Sequence, residues 1–199
     1  MGNNEEVLQA LKAKNREIYI NKLGIDLDKV LETLQITVGN SLDFLSTEVI
    51  NQLPFLRSED KGKTINGNTI KDFYRLLKEK LIVSIKDSFE AIASKIHDID
   101  LVDYDEIVNE QKNKIIKELG DFYNNNINEI INKLLMEDKL LDSDRVNNYF
   151  INYSYNKLVT HIMSVLTDSF KILCNSHVES YQKFENLNNK TLNSNKTQK

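Results

Sequence analysis

A chain of 199 residues, 40% hydrophobic and 28% charged, has the composition of a folded protein and the length to bury a core. Its net charge is −4 and its pI near 5.5, and arginine, the side chain best suited to bidentate phosphate contacts, occurs only at positions 16, 57, 75 and 145. Those figures weigh against a general polyanion binder, and six glycines with a single proline are too few for a fold built on many tight turns.

Helical periodicity begins at once. Val7, Leu8, Leu11, Ile18 and Leu23 recur mostly at spacings of three and four, and Gly24 then predicts a stop. Asp26 or Asp28 can open a second helix, whose stripe reads Leu27, Leu31, Leu34, Val38, Leu42, Leu45, Val49 and Leu53. Pro54 ends it, because the residue before a proline avoids the α region. The polar segment 57–68, with two glycines and an Asn-Gly pair, predicts a loop between helical hairpins.

Asn68 or Thr69 can cap the third helix, in which Ile70, Phe73, Leu77, Leu81, Ile85, Phe89, Ile92 and Ile96 keep helical spacing. The pattern breaks over 97–104, and Asp103 with Glu106 predicts the next cap. The fourth helix then runs to about Leu141, with Tyr104, Val108, Ile115, Leu119, Phe122, Ile127, Ile130 and Leu134 inward. Asp142 and Ser143 offer a last cap, followed by Val146, Tyr149 or Phe150, Tyr153, Leu158, Ile162, Val165, Ile172 or Leu173, Tyr181 and Phe184. A helix from Ser143 to Phe184 is roughly 60 Å long, a length that suits extended bundles, coiled coils or dimers. The polar tail 187–199 reads as disordered. The expected fold class is therefore all-α: an elongated bundle of about five amphipathic helices, the last three long, in a single helical domain over 1–186.

Each chemical hint has a plainer explanation. Lys61, Gly62, Lys63 and Thr64 resemble the end of a phosphate-binding P-loop, but Arg57 stands where its first glycine belongs and a helix precedes it. Cys174 and His177 share a helix face and supply only two metal ligands, while His97 and His161 complete no set. The acids Asp98, Asp100, Asp103, Asp105 and Glu106 lack the central glycine and terminal glutamate spacing of a calcium loop. No metal, cofactor or catalytic set is expected, and the chain reads as a non-enzyme.

The most aromatic stretch, Tyr149, Phe150, Tyr153 and Tyr155, is the candidate interaction surface, since tyrosine suits a half-dry interface. The expected function is protein–protein interaction by a scaffold, adaptor or structural component, most simply as a homodimer. One alternative is peripheral membrane association, through acylation of Gly2 or a lipid-facing helix; Glu5 and Glu6 oppose the first. A second is weak nucleic-acid binding by Lys71, Arg75, Lys78 and Lys86, taken from the sequence as spread around their helix. The lone Cys174, and the lack of a signal-like start or of an apolar run near the roughly 20 residues of a membrane span, predict a cytoplasmic protein. The abundance of Asn, Ile and Lys reads as the codon bias of an AT-rich genome.

Overall fold

Four helical rods carry the chain in the computed structural model, which describes residues 2–59 and 65–197. They are α1 (Gly2–Gln52), α2 (Asn68–Lys95), α3 (Leu101–Glu137) and α4. The rod α4 starts as Ser143–Asn148, passes through a π-helical segment at Tyr149–Ser154, and continues over Tyr155–Thr197. A 3-10 turn, Leu53–Leu56, closes α1 at Pro54. Among the described residues there is no strand, only an isolated bridge between Arg57 and Leu141.

The all-α expectation holds, with four helices rather than five. Gly24 does not divide the first rod. A glycine inside a helix costs about 1 kcal/mol, whereas burying one leucine side chain contributes about 2 kcal/mol. Leu23 and Leu27, on either side of it, are both buried, and an ion pair between Lys22 and Asp26 spans the same turn. Tertiary burial outweighs the local penalty. Beyond Phe184, α4 continues as helix through Thr197, and Asn15 of α1 donates to the Asn188 side chain at 3.0 Å.

Each rod packs beside two others in the order α1, α2, α3, α4 and back to α1, an up-down-up-down bundle. The stripe expected on α2 is inside at every position from Ile70 to Ile96. On α3, Tyr123 and Ile131 are buried where Phe122 and Ile130 were expected, each one residue further along. The start of α1 departs most. Val7, Leu11 and Ile18 face outward, and inward packing begins only at Tyr19 and Leu23.

One end is clamped. Arg57, buried between the loops, donates from Nε to Asp138 at 2.7 Å, and Arg145 donates to the Arg57 carbonyl. The Asp142 backbone N–H bonds Leu56 and that of Ser58 bonds Leu140. Asp142 caps α4 as expected, accepting from the Arg145 N–H. Asp100, rather than Asp103, caps α3. Thr69 does not cap α2 but donates to Glu137 at 2.7 Å.

The opposite end is open. At 1.5 Å per residue α1 is about 75 Å long and α2 about 40 Å, so the outer rods outrun the α2–α3 turn. Residues 2–18 of α1 contain no buried side chain, and the last buried positions of α4 are His177 and Ser180. Beyond them the two rods continue alone as an antiparallel arm, joined by the Asn15–Asn188 bond and by Tyr19 stacked on Phe184. The accessible surface of 11937 Å² exceeds the roughly 9,700 Å² expected of a compact protein of 23.1 kDa, in keeping with this extension.

Candidate interaction surface

The arm begins at a buried polar knot. His177 is 1% exposed and shares a hydrogen bond with the Tyr19 hydroxyl, 3.1 Å from Nδ1. The Tyr104 ring lies flat on the imidazole, with centroids 4.0 Å apart and planes at 10°. One side chain each from α1, α3 and α4 thus meets where the four-rod body narrows to two. Burial lowers the His177 pKa to about 4, with Asp100 opposing weakly, so the ring is neutral near pH 7. Burial also raises the Tyr19 phenol to about 12 and pushes Tyr104 further up. The Tyr104 hydroxyl is buried without a hydrogen-bond partner among the described residues.

Cys174, one helical turn before His177, has its thiol 3.9 Å from Asp105. Burial and that carboxylate raise its pKa to about 11. An activated cysteine nucleophile needs the reverse, a cationic neighbour and a depressed pKa. No group of three His, Cys, Asp or Glu side chains among the described residues is placed to hold a metal ion. A cleft of about 350 Å³ opens beside Tyr104, Asp105 and Cys174, but the groups facing it are a protonated thiol, a carboxylate and a neutral imidazole. The arrangement is suited to holding three helices together.

The outer face of α1 carries a different feature, which starts on the arm and runs past the knot onto the body. Val7, Leu11, Ile18 and Ile25 are 52%, 40%, 51% and 52% exposed. At 100° per residue they fall within about 40° of one another, opposite the side that carries Leu23, Leu27 and Leu34. Leu11, Ile18 and Ile25 stand seven apart, the repeat of a helix that packs along another helix. Lys14, Asn21 and Asp28 interleave with them; Glu17 flanks the stripe on one side and Lys22 and Lys29 on the other.

The aromatic group read from the sequence is divided by the π-helical segment. Phe150 is fully buried and belongs to the core. The Phe150 carbonyl accepts both the Tyr155 N–H, five residues on, and the Tyr123 hydroxyl at 2.7 Å. Tyr155 is half-buried, and its hydroxyl comes within 2.8 Å of where a Cβ at Gly120 would stand, so that close approach requires a glycine. Tyr149 is half-buried and stacks on Tyr153, which is 58% exposed and stands near Lys157. Lys157 forms an ion pair with Glu48 of α1. Of the four residues, Tyr153 is exposed and Tyr149 and Tyr155 are partly so. The π turn rotates the register so that Ser154, bonded to Tyr74, faces inward where Tyr153 was expected.

The remaining sequence candidates scatter. The P-loop-like residues Lys61–Thr64 lie outside the described residues. Asp100 is a helix cap, while His97 and His161 lie apart from His177 along the chain, and His161 stacks on Phe44. Of Lys71, Arg75, Lys78 and Lys86, the first three do not spread around α2 but line one cleft together, while Lys86 lies outside it near Glu90. Comparison with protein families, with curated proteins and with solved structures finds no match to the chain.

Proposed function

We propose that this protein is a non-enzymatic interaction module whose two-helix arm docks a helical partner, in the first place a second copy of itself. The observation that carries the reading is the outward stripe of Val7, Leu11, Ile18 and Ile25. Two antiparallel helices bury only one face of each, so an arm with apolar residues on its outer face is half of a helical packing unit.

Self-pairing in parallel register sets Leu11, Ile18 and Ile25 each against its own counterpart. The same register places Glu17 beside Lys22 of the partner subunit, five residues further along the seam, where opposite charges pair across parallel helices. The interleaved Lys14, Asn21 and Asp28 weaken the seam and keep the association reversible. A lipid-facing role has less support because Glu6, Glu17 and Asp28 line one edge of the stripe. No helix is long and apolar enough to cross a membrane among the described residues.

A charge swap tests the pairing. Glu17→Lys alone and Lys22→Glu alone should each weaken dimerisation in sedimentation velocity runs, and the double swap should restore it. Equal masses for all three variants and the parent would rule out this register.

A further inference from the structure

A second site lies on the four-rod body, away from the arm, between α1 and α2. Lys71, Arg75 and Lys78 stand four and three residues apart on α2, which brings three cations to one side of the helix. They line a cleft of about 370 Å³ whose other wall is Ser46, Thr47 and Asp43 of α1. Lys71 and Lys78 form no ion pair among the described residues, and Arg75 meets only the exposed Asp72, at 3.6 Å. Like charges at these spacings repel, and the two carboxylates of Asp43 and Asp72 offset three cations only in part.

A separate feature of α1 leads to the same cleft. Gly39 is buried in mid-helix, where glycine is a poor choice, and a Cβ there would stand 3.0 Å from Lys78 Cε. The missing side chain is what lets the Lys78 stem lie across α1 with its ammonium at the cleft. Like-charge repulsion and a helix-weakening glycine are thus two costs met at one place, and a bound anion would offset the first and give a use to the second.

We infer that this cleft binds a small anion bearing two phosphate groups, held by Lys71, Arg75 and Lys78 beside the Ser46 hydroxyl; the Thr47 hydroxyl already donates to the Asp43 carbonyl. The three cations span about 10 Å of α2, a reach that suits a diphosphate better than a single carboxylate. A long polyanion is disfavoured. Asp72, Glu79 and Asp87 flank the cationic face, and the chain carries a net charge of −4, so a nucleic acid crossing the site would meet acids on leaving it. The diphosphate could come from a free metabolite or from a phosphorylated lipid headgroup.

The test is calorimetric titration of inorganic pyrophosphate into the full chain at low ionic strength. The expected result is saturable binding with Kd below about 1 mM. Affinity should fall at least about tenfold in K71Q/R75Q/K78Q and also in Gly39→Leu, whose side chain fills the place of the Lys78 stem where a methyl would ask it to give by only a few tenths of an ångström, and which leaves all three cations in the sequence. Circular dichroism checks that both variants keep their helicity. Sedimentation with phosphatidylcholine vesicles containing phosphatidylinositol bisphosphate then separates the sources. Pelleting that pyrophosphate reverses identifies a headgroup, and pyrophosphate binding without pelleting identifies a free anion. Absence of saturable heat with the parent chain, or full parental affinity in both variants, would overturn the inference.

Discussion

At the residue scale, His177 shows how burial decides chemistry. The same imidazole that sequence spacing offers as half of a metal or nucleophile pair is enclosed by Tyr19, Tyr104 and Tyr181 and kept neutral. Its pKa is lower in the folded chain, about 4, than the ordinary 6.5, so folding is opposed once the free imidazole takes up a proton. The stabilising contribution is complete above pH 6.5 and is lost as pH falls towards 4. Between pH 6.5 and 5, before most carboxylates titrate, thermal melts should show a loss on the order of 1–2 kcal/mol. His177→Gln should flatten that slope, although it lowers stability at neutral pH by removing the stacked ring. Equal slopes in parent and variant would mean that His177 is not held neutral by the fold.

At the element scale, the periodic stripe of α2 was legible throughout, and that of α3 except where Tyr123 and Ile131 stand in for Phe122 and Ile130, because eight apolar positions at helical spacing leave a single inward face. Leu81 and Leu119 lie at the centre of those faces. Replacing either with Asp puts an unpaired carboxylate in the core, and circular dichroism should show loss of cooperative unfolding. Retained melting temperature would mean that the inward faces are misassigned. Three features were not legible, for different reasons. Gly24 marked a stop by local propensity, and the burial of Leu23 and Leu27 overrode it. The π-helical segment inserts extra residues into a turn, which shifts Tyr153 outward without any change in the apolar count. The outward stripe of α1 reads like any core stripe, because spacing shows that a helix is amphipathic and not which face its own chain covers.

At the scale of the whole molecule, unequal rod lengths are the organising fact. Four rods of one length would close a core along their entire extent. Here the outer two outrun the α2–α3 turn, and the buried knot of His177, Tyr19 and Tyr104 marks where the body gives way to the arm. The start of the last helix at Ser143 was readable, and so was its course as far as Phe184. The arm was not, since it depends on where α2 and α3 end relative to their neighbours, a relation that exists only in three dimensions. The body supplies rigidity and the arm supplies the uncovered apolar face. The claim that joins them is that this face is completed by a second chain.

Molar mass by light scattering, followed over a range of concentrations, tests that claim most directly. The parent chain should move from monomer towards dimer as concentration rises. Leu11→Glu with Ile18→Glu should stay monomeric at the same melting temperature, because both side chains are exposed in the single chain. A parent that remains monomeric at concentrations of about 100 μM, or a variant that dimerises as well as the parent, would contradict the account.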